Sequence, residues 1–547
     1  MKAITANPER IRVVFTKRYI IPDFQRPYSW EKETCEELWD DILNFFDTKE
    51  TMDDEYFLGN IVINPVSGSD AWEVIDGQQR LTTLILLIKA MFSRASTVKA
   101  LEECLRIKDP LTSIVTDELR VTSHVTSGDK ENLLHIILHD AKDCPDCKLR
   151  ENYILFEEKI DEWQKINNQS ADTMNDLILT LLDKVVLLPI NCDSEDDALT
   201  IFETINNRGI SLSDADIFKA RLYNHSREKH RQNEFINEWN AMRDHDWLFR
   251  VLMHIFRAEE GDYSKEVGMR SFFLSNSNNR FDDYDKVVNS LKKINKIETE
   301  WDGSDEINSF RKIMHTYPNY YWKFPLYVFL HKHGAIDSET DEFSLPNERK
   351  EEFIRLLETT IRYFFIKGVV HNTVNTVKDT VFRVCAKIET EDDYLSEYLS
   401  NLTKRDYDDF ICHLKENRLG RYLRGIVLLS AYLNPEQNKT DFSEFIDGKY
   451  DIEHILPKKW HDYEGWSETT FNEDLNKIGN LIPLSKALNI AAKNEFFDRK
   501  KVEYKKSTVQ DAIDLLRFKE WTPRELEQMQ EEKISRLSKF FQIDAVD

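Results

Sequence analysis

The 547-residue chain is 41% hydrophobic, 32% charged and 12% aromatic, a globular balance with ample material for packed cores, which excludes extensive disorder. Its length exceeds what one hydrophobic core serves and predicts roughly three or four domains. A formal net charge of −25 excludes a protein that coats DNA through a broad basic surface, though not one with a focused basic cleft.

No stretch approaches the ~20 uninterrupted apolar residues of a membrane span. The longest candidate, Leu81 to Phe92, is broken by Thr82, Thr83 and Lys89. Met1-Lys2-Ala3-Ile4-Thr5 has no apolar signal core, and seven scattered cysteines fit a reducing compartment. The expectation is a cytoplasmic protein with no membrane partner.

In chain order, residues 1–225 mix helices with short β-branched runs. Glu36 to Phe46 places Leu38, Ile42, Phe45 and Phe46 at helical spacing. Asn60 to Ile63, Val74 to Asp76 and Val185 to Ile190 read as strands. From 226 to 440 strand signals nearly vanish and a mainly helical region is expected, with polar loops at Ser275 to Asn279 and Asp337 to Pro346. A β-like segment from Tyr450 to Ile455 opens a last unit, 441–547. The fold class is therefore α+β multidomain.

Three strings stand out near the N-terminus: Phe24-Gln25-Arg26-Pro27-Tyr28-Ser29-Trp30, Tyr56-Phe57-Leu58-Gly59-Asn60 and Val74-Ile75-Asp76-Gly77-Gln78-Gln79-Arg80-Leu81-Thr82-Thr83-Leu84. The third is a strand, a tight turn and a helix start, an arrangement that aims backbone N–H groups at an anion such as phosphate. Arg80 and Arg26 add charged donors, Gln78 and Gln79 offer polar contacts, and Asp76 suits a metal or an arginine. A plain turn is the simpler reading of Asp76-Gly77 alone. Asn207-Arg208-Gly209 likewise reads as a helix C-cap, with Ser213 starting the next helix.

At the other end, Asp451-Ile452-Glu453-His454-Ile455-Leu456-Pro457 sets an acid beside a histidine where a strand ends. Asn480 follows His454 by 26 residues, and Asn489 follows Asn480 by nine. Phosphodiester hydrolysis needs a base for water and a hard cation for the developing charge. Neutral histidine suits the first task, and carboxylate and amide oxygens suit Mg²⁺ or Mn²⁺. Between Lys486 and Lys506, seven Lys/Arg face three acids, which is either a focused basic surface or an ordinary solvated helix face.

The C-terminal residues resemble the ββα-metal, or HNH, nuclease signature. That resemblance makes His454 the general base, Glu453 and Asn489 metal ligands and Asn480 the brace of the histidine loop. Asp451, on the same strand face as Glu453, is a further metal candidate or a strand-end residue. Lys493, Asn494, Lys500 and Lys501 are candidates to contact DNA. The N-terminal strings, with Phe202-Glu203-Thr204-Ile205-Asn206-Asn207-Arg208-Gly209 and Leu212-Ser213-Asp214-Ala215-Asp216, look like the N-terminal domain of the GmrSD family, similar to ParB/sulfiredoxin-like folds. This implies nucleotide binding and hydrolysis (GTP, UTP, CTP or ATP) at Gln25, Arg26, Tyr28, Asp76, Gly77, Gln78, Gln79, Arg80, Thr82, Asn206 and Arg208.

The order of the two regions resembles GmrSD-type and related SspE-type restriction enzymes. It implies anti-phage cleavage of modified double-stranded DNA, gated by nucleotide; self-association is left open. The rival expectation is a non-cleaving nucleotide- and DNA-binding regulator. A Cys144-Pro145-Asp146-Cys147 pair near His135 and His139 reads as a surface turn rather than a zinc site, and no P-loop motif is present.

Overall fold

The computed structural model describes residues 5–49, 51, 54–109, 111–112, 114–139, 141–166, 171–192, 213–274, 280–301, 303–371, 375–390, 392–459, 461, 463, 465–493, 495 and 497–542. It divides into two compact units, 1–240 and 241–547.

The first unit is built on a mixed seven-stranded sheet. Its central strands run Val185–Asn191, Tyr56–Pro65, Ala71–Asp76, Arg18–Ile21 and Val121–Ser123. Neighbours are parallel except Tyr56–Pro65 against Ala71–Asp76. Side chains alternate as a pleated strand requires. Ile61 and Ile63 enter a large core with Val74, while Val62 and Ile75 face the opposite side. The large core is closed by the Gln78–Arg94 helix, which buries Leu81, Leu84, Ile85, Leu86, Leu87 and Ile88. Across the sheet, Ala220 of the Asp214–Glu228 helix packs on Phe24, Val62 and Ile75. That helix starts at Ser213 as expected, in a reciprocal capping box with Asp216.

Helices dominate the second unit. Among the described residues of 226–440, the strand content is one short ladder, Ala335–Ile336 with Phe343–Ser344, the second strand falling inside the expected loop Asp337 to Pro346. The remainder is a helical core rich in ring contacts, such as Trp247 stacked on Phe324 with centroids 5.9 Å apart. Farther on, the chain makes an antiparallel hairpin, Tyr450–His454 with Leu481–Ser485. The helix Lys486–Ala492 follows the second strand directly. Ile482, Leu484, Phe497, Tyr504, Trp521, Leu526 and Met529 form the local core. No helix among the described residues is long and apolar enough to cross a membrane.

Candidate active site and nucleotide cleft

His454 is the last residue of its strand and pairs in register with Leu481. Its Nε2 lies 3.1 Å from Asn476 Oδ1. An amide oxygen only accepts, so Nε2 carries the hydrogen and Nδ1 keeps its lone pair. Nδ1 is buried and has no protein partner. Burial lowers the histidine pKa below its ordinary value, the Asn476 bond raises it, and Lys458 and Lys500 lower it further. The ring is thus held neutral at pH 7 with one nitrogen free to take a proton. Asn476, in a turn, has no signal in the motif spacing.

The loop after His454 is fixed by Asn480, which is fully buried. Its Oδ1 accepts from Leu456 N–H at 2.7 Å and from Trp521 Nε1 at 3.1 Å, while Nδ2 donates to the Leu475 carbonyl at 2.7 Å. The Asn480 carbonyl also takes Ile455 N–H at 2.9 Å. Behind this turn lies the Pro523–Phe541 helix. Gly479 donates its N–H to Gln530 Oε1 at 2.6 Å, and a Cβ there would stand 2.6 Å from the Leu526 carbonyl oxygen. Only glycine permits so close a backbone approach. Lys533 of the same helix donates to the Ile478 and Leu481 carbonyls and is paired with buried Asp511.

The acids of the strand differ in their surroundings. Glu453 is buried, and its Oε1 accepts from Lys500 Nζ at 2.6 Å and from Tyr504 Oη at 3.0 Å. Lys500 also donates to the His454 and Ile455 carbonyls at 2.6 and 3.3 Å. Its side chain is 1% exposed, so it is not the surface phosphate contact expected from the sequence. A buried carboxylate draws the nearest cation inward. Asp451, by contrast, is half-buried and adjoins Asn489, whose Nδ2 lies 3.3 Å from Asp451 Oδ2. Among the described residues no three His, Cys, Asp or Glu side chains converge as a metal cluster. One carboxylate beside one amide still fits Mg²⁺ or Mn²⁺, which keep most of their waters.

The basic run is less free than its charge count implies. Arg499, Lys501 and Lys506 are paired with Glu495, Asp498 and Glu503. Lys486, Lys493 and Lys505 are exposed and remain as the open cations among the described residues of that stretch. Lys493 has φ +51° at the end of the Lys486–Ala492 helix; Asn494 lies outside the described residues.

In the first unit, Gly77 caps the Gln78–Arg94 helix at φ +87°. A Cβ there would come within 2.6 Å of Ile61 Cγ2. Gly77→Ala is expected to cost ~1–3 kcal/mol from left-handed strain and this clash, read as a lowered urea midpoint. Arg80 lies over Gly59, where a Cβ would sit 3.0 Å from Cζ, and its Nη1 donates to the Asn60 carbonyl at 2.7 Å. The Tyr56–Asn60 string is thereby explained as a seat for this guanidinium. Burial raises the Asp76 pKa, opposed by Gly77 N–H and by Arg80 and Arg26.

Several expected ligand residues also make internal hydrogen bonds. Gln25 Nε2 donates to the Ile75 carbonyl, Gln79 bridges Ser29 N–H and the Pro27 carbonyl, and Tyr28 Oη bonds Thr83 and Asn152. Arg26, Tyr28, Gln78, Gln79 and Thr82 line a narrow cleft with Ser123 and Asp129. One Asp129 oxygen, Oδ2, is buried there without a partner. Asn206 and Arg208 lie outside the described residues. Cys144 is buried and its Sγ lies 3.5 Å from Asn132 Oδ1.

Two family models match this chain. One, for the N-terminal domain of GmrSD restriction endonucleases, covers residues 10–223. The other, for the C-terminal domain of GmrSD restriction endonucleases, covers residues 402–534. The chain belongs to the GmrSD restriction endonuclease family. Membership implies a DNA-binding restriction nuclease of host defence. The C-terminal GmrSD match begins well before residue 441, the expected start of the last unit. The structure supplies the reason: the Leu423–Tyr432 and Pro523–Phe541 helices both pack at the hairpin and its turn. No curated protein matches the chain.

Proposed function

We infer that this GmrSD-family protein is a cytoplasmic, modification-dependent endonuclease that cuts double-stranded phage DNA by HNH-type hydrolysis. The observation that carries the reading is His454, whose Nδ1 is unpartnered beside a loop locked by Asn480, on the same strand as Asp451, which adjoins Asn489. The order strand, strand, helix around these residues supports the ββα-metal assignment. In this reading His454 takes the proton of the attacking water, and Asn476 holds the ring in the tautomer that allows it. Asp451 and Asn489 hold Mg²⁺ or Mn²⁺, where the ion supplies neutralisation of charge on the scissile phosphate. Glu453, engaged by Lys500, positions the strand. Lys486 and Lys493 meet the DNA backbone.

The deciding experiment incubates the protein with glucosylated hydroxymethylcytosine DNA, phosphorothioated DNA and plain DNA, each with and without Mg²⁺ or Mn²⁺. Cleavage of one modified class only, abolished by chelation, is the expected result. Indifference to modification or to chelation would remove the reading. Asp451→Asn should raise the metal concentration for half-maximal cleavage about tenfold or more, since the pair loses its charged oxygen donor.

The N-terminal unit is assigned a ParB-like nucleotide-binding role that gates cutting. Arg26, Gln78 and Thr82 facing one cleft beside the Gln78–Arg94 helix start supports it. A nucleotide triphosphate needs the narrow cleft to widen, so binding and a change of shape are coupled. Arg80→Ala is expected to abolish nucleotide turnover, because the Asp76 carboxylate and the Gly59–Asn60 stretch of strand lose their cation. Unchanged turnover by a phosphate-release assay would sink this assignment.

A further inference from the structure

Beside the His454 loop lies a cavity of about 160 Å³ that no part of the hydrolysis uses. One wall is Ile455, Leu456 and Pro457, the three residues that follow His454. The other is aromatic: Tyr463, Phe497 and Trp521. Phe497 and Trp521 have ring centroids 5.5 Å apart at an interplanar angle of 33°. Trp521 is fixed at both ends, since its Nε1 bonds Asn480 Oδ1 and its carbonyl accepts Trp466 Nε1 at 3.0 Å. The pocket is therefore preformed rather than made by an adaptable loop. Asp498 and Glu520, both exposed, also line it. Asp498 is tied to Lys501.

Size and chemistry narrow the occupant. A cavity of about 150 Å³ accommodates one six-membered aromatic ring. Aromatic faces favour a planar partner, and carboxylates offer acceptors while repelling phosphate. The occupant is thus a flat ring that carries an N–H donor and leaves its phosphate outside. DNA held at His454 would carry such rings past this cavity, whose lining begins with the next residue, Ile455.

We propose that this cavity receives a nucleobase extruded from the duplex, with the exocyclic amine of the base donating to Glu520. The proposal rests on the nuclease reading and deepens it, since an extruded base exposes the ring edge on which a modification would be read.

The test uses the full chain in EDTA, so that binding is observed without cleavage. Affinities are measured for one duplex fully paired, with a single bulged cytosine, and with a single bulged thymine, which lacks the amine. An unpaired base spares the protein the work of unstacking, so the bulged cytosine should bind about tenfold more tightly than the paired duplex. The bulged thymine should gain less. Glu520→Trp, at an exposed position, should block the pocket and erase the preference for the bulged duplex; Glu520→Gln should reduce the discrimination between cytosine and thymine. Equal binding of bulged and paired duplexes by the wild type, or a preference that survives Glu520→Trp, would overturn the proposal. Should no duplex bind, including one that carries glucosylated hydroxymethylcytosine, the nuclease reading fails, and ¹⁹F spectra of 5-fluorocytidine decide the pocket separately. Line broadening lost in Glu520→Trp retains a nucleobase site, and absence of broadening removes it.

Discussion

His454→Ala is expected to lower metal-dependent DNA cleavage by ~10²–10⁴-fold, the usual loss for a general base. The fold should survive, because the ring makes one side-chain bond, to exposed Asn476, while the loop is held by Asn480 instead. Unchanged thermal unfolding with lost cleavage is the signature; full activity would be incompatible with the assignment. The pH profile gives an independent check. Burial depresses the histidine pKa, so the active neutral form persists below pH 6.5 and the acid limb of kcat/KM falls beneath that value. Asn476→Ala removes a bond that favours the charged ring. It should therefore move the limb lower still while reducing the plateau through loss of orientation.

Lys500→Met should destabilise the C-terminal region by ~3–5 kcal/mol, the penalty of stranding a buried charge. Glu453 would keep only the Tyr504 hydroxyl, and the His454 and Ile455 carbonyls would lose their shared donor. Glu453→Gln combined with Lys500→Met should cost much less than Lys500→Met alone, since no ion then remains unpaired. Urea midpoints of the three variants measure this. A double variant no more stable than Lys500→Met would show that the carbonyl contacts, and not the ion pair, dominate.

The sequence carried the elements better than the partnerships. Alternation at Ile61, Val62 and Ile63 is a local property, and the sheet faces follow it directly. The capping box at Ser213 and the turn at Gly77 are equally local. Glu453 and Lys500, however, stand 47 residues apart, and no short-range rule pairs them. The same limit affected the basic run: charges were countable, but three of its cations are taken by acids within the run and Lys500 by Glu453. The residues read as nucleotide ligands divide for a related reason. Glutamine and tyrosine serve equally well as internal fasteners, and only three-dimensional placement shows that Gln79 lines the cleft beside Gln78 and is also bonded to the Pro27–Ser29 segment.

The contact of Gly479 with the Pro523–Phe541 helix has a bearing on synthesis. The turn that carries Asn480 depends on Gln530 and Lys533, which leave the ribosome after every residue of the hairpin. Because translation proceeds from the N-terminus, the histidine loop stays without its backing until that helix has emerged and docked. If His454 is the general base, cutting power is expected to arrive only with the helix that closes the fold.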